Sequence, residues 1–335
     1  MEAMQKLDQT ASKVLYLLKH GKLVGSLSDG DIRRWILSGG SLDAPISNAV
    51  NFKPKFLMES CRQEAGKFIY RYSIDSVPII NDQMELVDVV IWGDDQPSKR
   101  MAQINLPVVM MAGGQGTRLY PYTKVLPKPL IPVGETPISE MIMDRFYSCG
   151  CEQFYLIVNC KKNMIKAYFH ETPKPYQISY IDETEPLGTG GGLQLMRNTL
   201  EQTFILTNCD ILLECDFADI YELHRRAGNA VTMICSLKNY RVPYGVVEFG
   251  VDGEIRSMQE KPTYSFFTNT GSYLVEPEVI DLIKPNERIG FPEIIARCQE
   301  NGWKTGVYPI NEGDWMDMGQ LDELEKMRDR LEVPK

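Results

Sequence analysis

Histidine is scarce in this chain: three in 335 residues, at positions 20, 170 and 224, none with a paired partner nearby in sequence. The eight cysteines (61, 149, 151, 160, 209, 215, 235 and 298) form no CxxC pair. Zinc sites need closely spaced Cys/His pairs, so a structural zinc is not expected. No Ser-His-Asp or Cys-His set can be recognised. No run of 18 apolar residues occurs, so no membrane span is expected. The opening Met1-Glu2-Ala3-Met4-Gln5-Lys6 lacks the apolar core of a signal peptide. Scattered cysteines without an export signal lead us to expect reduced thiols and a cytoplasmic setting. A basic surplus is missing too, with 36 Lys+Arg against 45 Asp+Glu and a net charge of −9. Such a chain is a poor nucleic-acid binder, although gathered basic groups or a divalent metal would still hold a small polyanion.

With 43% hydrophobic and 24% charged residues, the chain has the composition of a folded protein. Its length suggests two or three domains. The charge supports a division: residues 1–100 hold 13 Lys/Arg and 13 Asp/Glu, and residues 101–335 hold 23 and 32. Between the blocks, Asp95–Asn105 is polar and aperiodic and reads as a linker. The expected domains are 1–98 and 106–335.

In the first block, Val14–Leu18, His20-Gly21 and Leu23–Leu27 read as strand, turn and strand. A helix is expected over Asp29–Leu37, stopped by Gly39-Gly40. Ser60–Tyr72 has helical spacing, and Val77–Ile80 and Leu86–Ile91 read as strands. Leu23–Asp31 aligns with Leu86–Asp94 at an offset of 63 residues, which suggests two copies of one small α+β unit.

The second block alternates strand and helix. Strands are expected at Leu106–Ala112, Phe154–Val158, Ile178–Ile181, Phe204–Thr207 and Val231–Ser236. Helices are expected at Thr136–Cys149, 161–169, 189–200 and 217–227. This order predicts an α/β, Rossmann-like fold with a mainly parallel sheet, whose ligands bind at the carboxyl ends of the strands.

Directly after the first of these strands stands Ala112-Gly113-Gly114-Gln115-Gly116-Thr117-Arg118-Leu119. Three glycines in four residues let the backbone turn tightly and present clustered amides to an anion. The lysine of a Walker loop and the third glycine of a dinucleotide loop are both absent. From Met101 to Gly134 there is no acidic residue, while Arg118, Lys124 and Lys128 are present. Prolines 121, 127, 129 and 132 stiffen the stretch. These features point to a polyphosphate site.

The string Gly113–Thr123 followed by Pro127-Lys128-Pro129 resembles the signature of the nucleotide-sugar pyrophosphorylases, or sugar-1-phosphate nucleotidyltransferases. Further motifs follow in order: Glu185-Pro186-Leu187-Gly188-Thr189-Gly190-Gly191, Asn208-Cys209-Asp210, Tyr244-Gly245-Val246-Val247-Glu248, Glu260-Lys261-Pro262, Asn269-Thr270-Gly271 and Trp315-Met316-Asp317. The resemblance covers about 106–325 and is greatest to the mannose-1-phosphate guanylyltransferase-like branch. Within that branch it lies nearest to the glucosamine-1-phosphate guanylyltransferases of legionaminic acid synthesis.

The resemblance implies a Mg2+-dependent enzyme joining an NTP, GTP in the first place, to a sugar 1-phosphate with release of pyrophosphate. CTP, UTP or dTTP, with mannose or heptose 1-phosphate, stay open as alternatives, as does a nucleotide sensor without turnover. It further implies that Ala112, Gly113, Gly114, Gln115, Gly116, Thr117, Arg118 and Lys128, with Gly188 and Thr189, bind the nucleotide. Gly245, Glu260, Lys261 and Asn269 are implied to bind the sugar phosphate. Asp210 and Asp317 are the implied metal carboxylates, and Arg118, Lys128, Asp210 and Lys261 the catalytic set. No hexapeptide repeat follows the last expected helix, so no attached acyltransferase solenoid is expected.

Gly25–Arg34 resembles part of a CBS module, and the first block a CBS pair. Such modules hold a ribose with a hydroxyl residue and an Asp three positions on, here Ser28 and Asp31, which implies an adenine nucleotide as ligand. The second copy keeps Asp94 but has Ile91 at the hydroxyl position. Ser28 or Asp29 as a helix cap is the simpler alternative. Paired modules of this kind also imply a homo-oligomer.

Overall fold

A computed structural model describes residues 2–8, 13–41, 44–72, 74–91 and 103–331. The chain forms two compact units, Met1–Arg100 and Met101–Lys335.

The first unit opens with α1 (Glu2–Asp8), then the antiparallel hairpin β1 (Val14–Lys19) and β2 (Lys22–Ser28), then α2 (Asp29–Leu37). A second set follows: β3 (Leu57–Met58), α3 (Ala65–Tyr72), β4 (Ser76–Ile80) and β5 (Leu86–Ile91). The segment expected as one helix over Ser60–Tyr72 is a 3-10 turn at Glu59–Glu64 leading into α3. The two hairpins meet in a way that mirrors the 63-residue repeat. Leu23 N donates to Met84 O (3.0 Å), and Leu86 N donates to Gly21 O (3.1 Å), around a Lys22–Glu85 bridge. Every position in this set has its counterpart 63 residues away, so the copies join about a local two-fold axis. Leu57, Ala65, Ile69, Val77 and Ile79 form a small core. Asp94, and the linker up to residue 102, lie outside the described residues.

The second unit runs β6 (Val108–Met111), the short α4 (Tyr122–Val125), a small hairpin of β7 (Pro132–Val133) and β8 (Thr136–Pro137), and α5 (Ile138–Ser148). Then come β9 (Gln153–Val158), α6 (Lys162–Glu171), β10 (Gln177–Asp182), α7 (Gly188–Gly191), β11 (Phe204–Asn208), β12 (Ile211–Leu213) and α8 (Phe217–Ala227). The remainder is β13 (Val231–Arg241), β14 (Val246–Phe249), β15 (Ile255–Gln259), β16 (Thr263–Val275), α9 (Phe291–Glu300), β17 (Thr305–Ile310), β18 (Trp315–Asp317) and α10 (Leu321–Arg330).

Seven strands form the central sheet in the order β10-β9-β6-β11-β16-β13-β17. Only β16 runs against the others, so the sheet is mainly parallel as expected. Its central strands β6, β9 and β11 are largely apolar and buried because both faces are covered. Val108, Met110, Leu156 and Ile205 face one core with Phe146 and Phe217, while Val109, Met111, Ile157 and Leu206 face a second core with Leu193 and Phe291. The parallel strands β6, β9 and β11 therefore end together at one rim, where the glycine loop begins.

Two expectations need correction. The strand expected over Val231–Ser236 continues to Arg241. The helix expected over 189–200 is a single α turn, Gly188–Gly191, followed by a 3-10 stretch to Met196. Its glycines are needed for close packing rather than for helix: a Cβ on Gly191 would stand 2.2 Å from the Glu287 carbonyl oxygen.

Candidate active site

The glycine loop leaves β6 at Ala112, whose N–H donates to Ile157 O (2.8 Å), and Gly113–Thr117 lies open or half-open at the rim. At Gly116 the backbone is left-handed (φ 65°), and a Cβ there would stand 3.0 Å from Lys128 Cβ. Glycine at this position thus lets the lysine stem pack under the loop. Thr123 Oγ1 donates to Gly116 O (3.0 Å) and fixes the turn. A 3-10 turn at Thr117–Leu119 buries Leu119 and places Arg118 at the edge of a cavity. Lys128 starts a second 3-10 turn held by buried Pro129 and Leu130.

Asp210 and Asp317 are 107 residues apart in sequence. They meet because β12 pairs with β18, Ile211 opposite Asp317, and because Met318 N donates to Asp210 O (2.9 Å). The Asp317 carboxylate accepts from Gly319 N (2.7 Å), which aims it. Lys128 Nζ pairs with Asp210 Oδ2, both side chains nearly buried. A buried carboxylate pair repels itself, so a cation between them is the expected compensation.

Burial alone would lower the Lys128 ammonium, but Cys209, Asp210 and Asp317 outweigh it and hold the pKa above its ordinary value. The Cys209 thiol is itself pushed up to about 12 by burial. It is therefore neutral near pH 7, and the two carboxylates are the effective partners. Burial, then the Asp210 charge, raises the Asp317 carboxyl against the pull of the Gly319 amide, Lys128 and Arg118.

Arg118, Thr189, Asp210, Asn269 and Asp317 all line one cavity of about 270 Å³, with Asn208, Thr270, Gly271, Phe291 and Trp315 completing much of its wall. Five of the residues singled out in the sequence thus converge, with Lys128 tied to Asp210. Thr189 Oγ1 also accepts from Phe291 N (3.2 Å), at the start of α9. Asn269 spans its own strand, donating to the Tyr273 hydroxyl (2.6 Å) and accepting from Gly271 N (2.8 Å).

Gly245, Glu260 and Lys261 do not line this cavity. They sit together on a ribbon that extends from the sheet: a Cβ on Gly245 would lie 3.1 Å from Glu260 Oε2, and Lys261 Nζ is 3.9 Å from Glu260 Oε1. A larger groove of about 580 Å³ lies along α6 and β10 and contains none of the residues expected in the site.

The sequence reading missed Glu183. It stands one residue past the end of β10, buried, between the two glycine segments. A Cβ on Gly113 would lie 2.6 Å from its Oε2, and one on Gly192 would lie 2.5 Å from its Oε1. Oε1 has no hydrogen-bond partner. Desolvation raises its carboxyl from 4.5 to about 7, against the Leu187 amide. The signal was its place two residues ahead of Glu185-Pro186-Leu187-Gly188.

Among the described residues no cluster of three or more His, Cys, Asp or Glu is placed to hold a metal. Two carboxylates facing a cavity suit Mg2+, which takes one or two carboxylates and completes its shell with phosphate oxygens and water. No helix of the described residues is long and apolar enough to cross a membrane. In the first unit, Ser28 and Asp31 form a capping box. Asp31 N donates to Ser28 Oγ (3.3 Å), and Ser28 N donates to Asp31 Oδ2 (2.8 Å). The helix-cap reading is what this geometry displays.

Comparison with known proteins places this site in context. The chain is 34% identical over 225 residues to the bifunctional protein GlmU of Methanococcus maripaludis, covering 64% of this chain and 51% of that protein. It is 31% identical over 226 residues to the mannose-1-phosphate guanyltransferase of Saccharomyces cerevisiae, covering 63% and 61%. The chain thus spans about half the length of the GlmU relatives it matches. The fold matches the crystal structure of HddC from Yersinia pseudotuberculosis with a TM-score of 0.54 at 22% identity, over 68% of this chain and 99% of that one. The nucleotidyl transferase family model matches residues 107–332, and the chain belongs to that family.

Proposed function

We propose that this chain transfers a nucleotidyl group from GTP to a sugar 1-phosphate, glucosamine 1-phosphate in the first instance, with release of pyrophosphate. The observation that carries the reading is the convergence of Arg118, Asp210 and Asp317 on one cavity, with Lys128 tied to Asp210, beside an open glycine loop. A phosphate oxygen of the sugar attacks the α-phosphorus of the nucleotide. The bond from that phosphorus to the bridging oxygen breaks, and pyrophosphate leaves with the electron pair. The nucleophile is already anionic, so no general base is needed. The obstacle is anion meeting anion, and positioning and charge neutralisation overcome it.

Arg118 and the Gly113–Thr117 amides bind the triphosphate, and Lys128 follows the negative charge as the phosphates enter. Asp210 and Asp317 would hold Mg2+, which screens the phosphate oxygens when bound. Asn269 and Thr189 orient the substrates within the cavity. Glu260 and Lys261 meet the sugar phosphate from the ribbon.

Glu183 supports GTP among the nucleotides. Guanine presents two adjacent N–H donors on one edge, matching the two oxygens of a carboxylate. Uracil, cytosine and adenine each place an acceptor there. A buried, unpaired carboxylate oxygen next to the nucleotide loop therefore favours guanine. The sugar, and a place in legionaminic acid synthesis, rest on the motif resemblance. We further assign the first unit to a CBS pair that takes an adenine nucleotide at Ser28 and Asp31. The two-fold joining of its repeats supports a paired module.

Following pyrophosphate release with four NTPs against glucosamine, mannose and heptose 1-phosphates tests the reading. GTP with glucosamine 1-phosphate is expected to be fastest by at least tenfold, with kcat/KM rising through about pH 7 as Glu183 ionises. Glu183→Gln offers one acceptor and one donor, and is expected to shift preference toward UTP. Equal rates with all four bases, unchanged in Glu183→Gln, would remove Glu183 from base selection.

A further inference from the structure

The long strands β13 and β16 run past the central sheet and continue into β14 and β15 as one two-stranded ribbon, with Val242 N donating to Pro262 O (2.9 Å) at the junction. A two-stranded hairpin is marginally stable in water by itself. This one also displays apolar side chains on one face. In the far half, Val247 pairs with Met258 and Phe249 with Ile255, and they are 43%, 68%, 73% and 71% exposed. In the near half, Tyr240 pairs with Tyr264, and Phe266 shares their face; all three are exposed. These seven side chains leave on the order of 800 Å² open, judged from the size of such residues. That is the ~800 Å² per partner that a standard protein interface covers. Exposed apolar surface on this scale marks an interaction site.

The charges along the ribbon say which partner fits. Its far half, Val246–Gln259, carries Glu248, Asp252 and Glu254 against a single Arg256. Its neck, Lys238–Gly245 with the facing 260–266, carries Lys238, Arg241 and Lys261 against a single Glu260. Lys238 is held by Glu312 (3.1 Å), while Arg241 is exposed. Two ribbons laid antiparallel about a two-fold axis set the acidic tip of each against the basic neck of the other. One self-complementary patch then serves both partners.

We propose that this ribbon is the interface between two copies of this chain, ribbon against ribbon. Phe249 and Ile255 form the apolar centre, and Arg241 meets the acidic tip of the partner. The test is sedimentation equilibrium of the full chain at micromolar concentration, with hydrogen exchange of residues 246–259. The wild-type mass is expected to be an even multiple of one chain. Phe249→Asp with Ile255→Asp is expected to halve it, and exchange protection of the ribbon is expected to fall on dilution. Arg241→Glu is expected to weaken association at least tenfold, and adding Glu248→Arg and Glu254→Arg to restore it. A single-chain mass for the wild type would overturn the proposal. So would an unchanged mass in the Asp variant, or ribbon protection independent of concentration, which would mean that the chain covers its own ribbon.

Discussion

Glu183 carries a cost that can be read from pH. In the folded chain its carboxyl is held near 7 by burial, against an ordinary value of 4.5. Between those values the folded chain keeps a proton that the unfolded chain has released. Stability contributed by the protonated form is full below about 4.5 and is lost as pH rises through about 7. Replacing Glu183 by Gln removes that loss. Thermal unfolding of both proteins from pH 5 to pH 8 should show the variant gaining on the wild type as pH rises; a constant difference would mean that Glu183 ionises normally. The same residue shows where sequence reading stops. The family motifs drew attention to Glu185-Pro186-Leu187-Gly188, yet the carboxylate that faces the glycine loop lies two residues earlier. Its importance comes from Gly113 and Gly192 approaching it from opposite sides, a juxtaposition that no local pattern encodes. Asp210 and Asp317 were legible because each sits in a motif. Their meeting was not, because it depends on the pairing of two three-residue strands.

At the scale of elements, the buried parallel strands were the easiest to find. Val108–Met111 and Phe204–Leu206 are continuous apolar runs, and the glycine loop announces the rim at which the first of them ends. The segment after Leu187 was misread because Leu193 and Met196 have helical spacing, while its glycines answer a different demand. Gly188 is left-handed (φ 83°) and would place a Cβ 2.7 Å from the Ile289 carbonyl oxygen; Gly191 is tighter still against Glu287. The neighbour in each case is backbone, which cannot swing away. Gly191→Ala should therefore cost about 1–3 kcal/mol and lower the Tm by at least about 2 °C. A Tm equal to that of the wild type would mean that the loop yields more easily than its packing indicates. The outer half of β13 was missed for another reason. Beyond Leu237 the strand leaves the core, and its alternation is set by a ribbon partner rather than by burial.

At the scale of the whole molecule, the charge division near residue 100 and the 63-residue repeat foreshadowed two units. The ligand proposed for the first unit would rest on Ser28 and Asp31, which here satisfy each other as a helix cap. A ribose would have to draw on the same oxygens, so ligand binding and the cap compete. Titration of AMP and ATP into the full chain should show saturable binding, weakened at least tenfold by Asp31→Ala; no heat and no thermal shift with either nucleotide would leave the pair as a cap alone. In the second unit, the proposed chemistry depends on placing two polyanions against amides, two cations and a carboxylate pair. The most direct measurement is the rate of pyrophosphate release by Asp210→Asn with GTP and glucosamine 1-phosphate, alongside its Tm. The account predicts a fall of at least about 10³-fold, roughly 4 kcal/mol of barrier, with folding retained. A folded variant turning over within threefold of the wild type would contradict it.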